Sequence, residues 1–110
     1  MILFGGNDDN ATSTNDVWTY NFAEPSSNSS WTLLNTTGSK PSARSSAIGL
    51  LYNNKFIIFG GYGVDNKVYE LNLDTNVWTE LHDGSGTAPT SRSYLSVDKI
   101  YNNKLVFFGG

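Results

Sequence analysis

The chain has 110 residues, 38% of them hydrophobic and 14% aromatic, enough for a packed core of small-domain size rather than a disordered tail. Seven Lys and Arg are scattered among ten Asp and Glu, for a net charge of −3, and no basic stripe suited to a nucleic-acid backbone is present. There is no cysteine, which excludes disulfides and thiolate metal sites, and no apolar run approaches the ~20 residues that span a bilayer.

The opening Met1-Ile2-Leu3-Phe4-Gly5-Gly6 predicts an apolar strand ending in a glycine pair, with no secretory leader pattern ahead of it. Asn7 to Asn15 reads as a polar loop. Asp16 to Phe22 then alternates, placing Trp18, Tyr20 and Phe22 on one face. A Ser- and Asn-rich turn leads to Trp31-Thr32-Leu33-Leu34, and Pro41-Ser42-Ala43-Arg44 opens the next segment. Ser45 to Gly49 is unusually small-sided, as a strand in a crowded position requires.

From Leu51 onward the same landmarks return in the same order. Leu51 to Gly61 matches Ile100 to Gly110, 49 residues later, and Phe56 to Gly61 matches Met1 to Gly6. Val68 to Leu73 corresponds to Val17 to Phe22, with Tyr69, Leu71 and Leu73 sharing one face. Trp78 corresponds to Trp31, and Pro89 to Arg92 corresponds to Pro41 to Arg44. A period near 50 with this many ordered landmarks is an internal repeat. Each unit reads as four short strands, a to d. Asn53-Asn54 and Asn102-Asn103 sit between strands a and b, where Asn tolerates the positive φ of a tight hairpin. The third unit holds one more residue than the second between its arginine and its tyrosine, which a β-bulge or a longer turn would absorb.

These residues carry a resemblance to the kelch repeat. Its marks are an apolar strand ending in Gly-Gly, an aromatic on the next strand and a Trp on the fourth. Here they are Gly60-Gly61, Tyr69 and Trp78, preceded by Gly5-Gly6, Trp18 and Trp31 and followed by Gly109-Gly110. The Pro-x-x-Arg lead-in is similar to that of many cytosolic members, although Ala47 and Leu95 stand where many relatives carry His. The resemblance covers essentially the whole chain and implies an all-β architecture of four-stranded antiparallel blades around a central channel, here an incomplete propeller. It divides the chain into a partial blade over 1–37 (strands b-c-d), a complete blade over 38–84 and a partial blade over 85–110 (strands a-b). Met1 falls inside an apolar strand, as expected of an internal residue of a longer parent. The remaining blades of that parent, or self-association, would complete the ring.

The packing expectation is that Trp78 and Trp31 are buried against the glycine pairs with Tyr69 and Trp18 beside them. For function, the resemblance implies a protein-interaction module using loops at one end of the blades, with no enzymatic role and no cofactor. A guanidinium fork suits carboxylates on a partner, so Arg44 and Arg92 are candidate contacts, with Tyr62 and Asp65 as neighbours in the b–c loop. The structural alternative for the arginines is an inter-blade ion pair or a bond to a loop carbonyl. Other readings are a non-catalytic propeller within a larger enzyme, or an extracellular adhesive or glycan-recognising domain.

The remaining motifs point nowhere sharper. Asn7-Asp8-Asp9-Asn10 lacks the spacing and closing Glu of a calcium loop. His82, the single histidine, has no adjacent nucleophile signature, and the Gly-Gly pairs match no phosphate-binding pattern. Sequons at Asn10, Asn28 and Asn35 matter only for a secreted parent, whereas the expectation here is cytoplasmic.

Overall fold

In the computed structural model, the backbone of residues 1–110 is described, together with every side chain except that of Asp98. Ten strands follow one another: β1 (Ile2–Asn7), β2 (Ser13–Asn21), β3 (Ser30–Leu33), β4 (Thr37–Gly38), β5 (Ile48–Tyr52), β6 (Lys55–Phe59), β7 (Val68–Asn72), β8 (Val77–His82), β9 (Leu95–Tyr101) and β10 (Lys104–Gly109). They form three sheets, ordered β1-β2-β3, β4-β8-β7-β6-β5 and β10-β9. The middle sheet is a complete four-stranded antiparallel blade, and the outer two are parts of neighbouring blades. The protein is thus an all-β, incomplete propeller.

Local chemistry sets these elements. Asn53, Asn54, Asn102 and Asn103 all adopt positive φ, 46° to 59°, in the tight turns joining β5 to β6 and β9 to β10. The third unit's additional residue lies in β9. Leu105 faces Ile100 and Phe107 faces Val97, so two residues on β9 oppose one on β10 in a bulge. Strand β4 joins the outer edge of the middle blade, pairing parallel with β8 through Thr37↔Val77 and Gly38↔Trp78.

The core lies between the first two blades. Phe56, Ile58, Tyr69, Leu71 and Trp78 of the middle blade pack with Val17, and Ile2, Phe4 and Leu34 close over them. Trp78 is 2% exposed, meets the Phe4 ring edge-on at 5.4 Å and donates its indole N–H to Thr36 Oγ1 at 3.2 Å. On the opposite face, Phe59 stacks on Phe107 at 4.9 Å. The first of these layers sets strands b and c of one blade against strands b, c and d of the next, so that a blade's strand-d Trp is covered by the blade before it.

That rule corrects the expectation for Trp31, which is 48% exposed. Its counterpart Trp78 is buried by the blade before it, and the face of the first blade that bears Trp31, Leu3 and Met1 packs on no sheet of this chain. Trp31 packs instead against Tyr20 of its own sheet, at 5.0 Å.

The glycine pairs also sit elsewhere than expected. A Cβ on Gly60 would collide with the carbonyl oxygen of Arg92, and one on Gly5 with that of Arg44. Gly60 has φ +72°, which only glycine adopts freely. The adjacent amides close the contact: Gly6 donates to Arg44 O at 2.9 Å and Gly61 to Arg92 O at 3.0 Å. The pair receives the backbone of the next blade rather than the rings of Tyr69 or Trp78.

Candidate functional site

The Pro-x-x-Arg segments and the b–c loops meet at one end of the blades. Arg44 is 1% exposed, and all five of its N–H donors are engaged. Nε donates to Ser42 O at 3.0 Å. Nη1 donates to Gly60 O at 3.1 Å and Asp65 Oδ1 at 3.3 Å, and Nη2 donates to Ser42 Oγ at 3.0 Å and Asp65 Oδ2 at 2.9 Å. The guanidinium also lies 5.2 Å from the Tyr69 ring centre. This is the structural alternative for Arg44. With every donor spent, it has none to offer a partner.

Arg92 repeats the pattern one unit on. Nε donates to Thr90 O at 3.2 Å, Nη1 to Gly109 O at 3.3 Å and Nη2 to Thr90 Oγ1 at 3.2 Å. It is half-buried.

Asp65 is the anchor of its loop. It accepts the Tyr69 hydroxyl at 3.2 Å and the Lys67 amide at 3.1 Å besides Arg44. Partial burial pushes its carboxyl up, but the Arg44 hydrogen bonds and charge and the Lys67 amide outweigh this, holding it below the usual carboxylate range. Burial, reinforced by the nearby Asp65 charge, raises the Tyr69 hydroxyl.

Tyr62 is placed differently. Its amide donates to Ser45 O at 2.8 Å, fixing the backbone, while its side chain is 68% exposed. Of the four sequence candidates, Arg44 and Asp65 are joined in one clamp, Tyr62 projects from the loop that the clamp holds, and Arg92 makes the corresponding bonds to Thr90 and Gly109 O.

Sequence reasoning missed a second tie. Asn15 Nδ2 donates to Pro41 O at 3.1 Å, and Asn66 Nδ2 donates to Pro89 O at 2.8 Å and Gly84 O at 3.0 Å. Each of these asparagines stands three residues before the strand-c aromatic, Trp18 or Tyr69, at the same place in both units, and that recurrence was the available signal. The Ser42 and Thr90 hydroxyls, each two residues before its arginine, were a further one. Tyr94, exposed with φ +57°, was also missed.

The other motifs are turns. Asp8 Oδ1 accepts the amides of Asn10 and Thr12, both at 2.9 Å, which folds the Asn7–Asn10 stretch on itself. His82 Nδ1 accepts the Gly84 amide at 2.9 Å and serves its own loop. Among the described residues, no group of three potential ligands is placed to hold a metal ion, and no helix is long and apolar enough to cross a membrane.

Comparison with known proteins agrees with this architecture. The sequence matches the family described as the KLHDC2/KLHL20/DRC7 Kelch-repeats domain over residues 1–110. It is 33% identical over 102 residues to human Kelch domain-containing protein 1, covering 86% of this chain and 24% of that protein. It is 37% identical over 101 residues to mouse Kelch domain-containing protein 2, again covering 86% and 24%. Against Tip elongation aberrant protein 1 of Schizosaccharomyces pombe it is 33% identical over 117 residues, covering 100% of this chain and 10% of that protein. The chain thus spans a quarter or less of the length of these relatives.

Proposed function

Because the chain belongs to the KLHDC2/KLHL20/DRC7 kelch-repeats domain family, we propose that it is a protein-interaction module whose loop face binds a protein partner and which itself catalyses nothing. The observation that carries this reading is the mounting of Tyr62. The Arg44–Asp65 clamp, the Asn66 tie and the Tyr62 amide bond hold the b–c loop rigid and leave an aromatic side chain facing solvent. A prepaid loop conformation lowers the ordering entropy lost on binding, and exposed Tyr and Arg are favoured at interface hot spots. Tyr62 and Arg92 are the contact residues in this reading, and Arg44 and Asp65 position them. An acidic segment on the partner suits Arg92, while the chain's net charge of −3 gives little long-range steering.

The module works as part of a completed ring, closed by further blades of a longer chain or by self-association, and a cytoplasmic location belongs to the same proposal. The test compares partners recovered by wild-type, Tyr62→Ala and Arg92→Ala forms of the full-length protein, each with its melting curve. Loss of a partner at unchanged stability supports the module. Unchanged partners in both variants would remove the loop face from consideration.

A further inference from the structure

We propose that Arg44 links the b–c loops of the first two units in series, so that closing the second loop also holds the first one closed. The linkage goes beyond the functional reading above and is independent of what the loop face binds.

Arg44 grips the base of each loop with a different part of itself. Its main chain serves the loop of the first unit. The carbonyl accepts the Gly6 amide at 2.9 Å, where that loop leaves its strand, and the Arg44 amide donates to Thr14 O at 3.0 Å, where the loop returns. The approach is close: a Cβ on Gly5 would lie 2.6 Å from Arg44 O. The side chain serves the loop of the second unit. Nη1 reaches Gly60 O at 3.1 Å, where that loop leaves its strand, and both ends of the guanidinium hold Asp65, one residue before Asn66. Gly61 lies against the stem, since a Cβ there would meet Arg44 Cβ at 3.1 Å and Cδ at 3.2 Å.

The order of the links repeats. Arg92 O accepts the Gly61 amide at 3.0 Å, while its Nη1 donates to Gly109 O at 3.3 Å. Each arginine therefore takes the loop of the preceding blade on its main chain and the glycine pair of its own blade on its side chain. Ser91 adds a bond from its hydroxyl to Val64 O within the second loop.

This arrangement couples the loops through local opening equilibria. When the second loop opens, the guanidinium loses Gly60 O and Asp65, and the Arg44 side chain regains rotamer freedom. Its peptide groups then have one anchor fewer, and their bonds to Gly6 and Thr14 break more readily. When the second loop is closed, the entropy cost of fixing Arg44 has been met once and serves both loops. The coupling is reciprocal by linkage. A partner that holds either loop closed protects the other.

The test is hydrogen exchange on the full-length protein, resolved to single amides by NMR. The decisive reporter is the Gly6 amide, which is bonded to the Arg44 carbonyl and not to Asp65. Asp65→Ala should speed its exchange about tenfold or more, the scale of a lost charge-assisted hydrogen bond, while amides of β7 change less. Asn66→Ala frees the other fastening of the same loop without touching Arg44, so it should leave Gly6 at the wild-type rate. Where Asp65→Ala fails to fold, Asp65→Asn keeps the side-chain shape, removes the charge and allows the same comparison. The reverse arm uses Gly5→Ala, which crowds Arg44 O. It should speed exchange of the Lys67 amide, which donates to Asp65 Oδ1 at 3.1 Å. An unchanged Gly6 amide in the Asp65 variants, or one that accelerates no more than β7, would overturn the linkage, as would an unchanged Lys67 amide in Gly5→Ala. None of these variants alters Tyr62 or Arg92, so failure here leaves the loop-face reading standing.

Discussion

Arg44 grips Asp65 with both ends of its guanidinium, Nη1 to Oδ1 at 3.3 Å and Nη2 to Oδ2 at 2.9 Å, across 21 residues of sequence. The pair is unequally buried: the Arg44 side chain is fully covered, while that of Asp65 is partly exposed. Removing the arginine strands Gly60 O and a partly desolvated carboxylate. Arg44→Ala should therefore destabilise by about 2–4 kcal/mol, read from denaturant unfolding. Arg44→Lys should rescue little of that, since an ammonium cannot reproduce the planar five-donor pattern.

The same pair sets the acid limit. The folded Asp65 carboxyl lies below its ordinary value of about 3.9, so the native state favours the ionised form. Its contribution is fully present above the unfolded value and is lost as pH falls through the folded one. Melting temperature should hold through mildly acidic pH on this account and decline below about pH 4. Asp65→Asn should flatten that part of the decline. A decline of unchanged shape in Asp65→Asn would assign the acid sensitivity to other groups.

Trp78 and Trp31 are equivalent in sequence and unequal in energy. Trp78→Ala should cost about 3–5 kcal/mol, the range for truncating a buried aromatic. Trp31→Ala in a single chain should cost about 1 kcal/mol or less, the loss of its packing on Tyr20. Urea unfolding of the two variants at a concentration where the wild type is monomeric checks both. Equal losses would contradict the inter-blade layering.

The asparagine tie predicts a local effect. Asn66→Ala leaves Pro89 O and Gly84 O without this donor, in a partly exposed setting, at a cost of about 1–2 kcal/mol. Hydrogen exchange should speed up in the segment around Gly84 to Arg92 before it does in β6 or β7. Uniform acceleration across all strands would mean that the tie serves global rather than local stability.

Much of the fold was legible because repeats announce themselves twice. The alternation of Tyr69, Leu71 and Leu73, the double Asn turns and the extra residue of the third unit each have a direct structural expression, the last as the bulge in β9. What the sequence concealed were relations between blades. A glycine pair declares that something approaches closely, but not whether it is a ring or the carbonyl of Arg92. The repeat made Trp31 look like Trp78 because equivalence of position says nothing about whether a neighbouring sheet is present. Arg44 and Arg92 drew notice as exposed forks, yet burial of Arg44 depends on Ser42 and Asp65 converging from opposite sides, and no spacing rule encodes that. Strand β4 is two residues long and was invisible to any periodicity.

The asparagine tie has a consequence for how such loops change over time. The b–c loop is fastened at its start by the glycine pair and at its end by Asn15 or Asn66, and both fastenings reach into the following blade. Eight residues lie between Gly6 and Asn15, four between Gly61 and Asn66. The blade frame accepts both lengths because the tip of the longer loop, Asp8 to Thr12, bonds within its own turn, while the residues beside the fastenings stay committed, as Asp65 is to Arg44. The tip alone behaves as an interchangeable insert. It can lengthen or shorten while the register of the strands around it stays where it was.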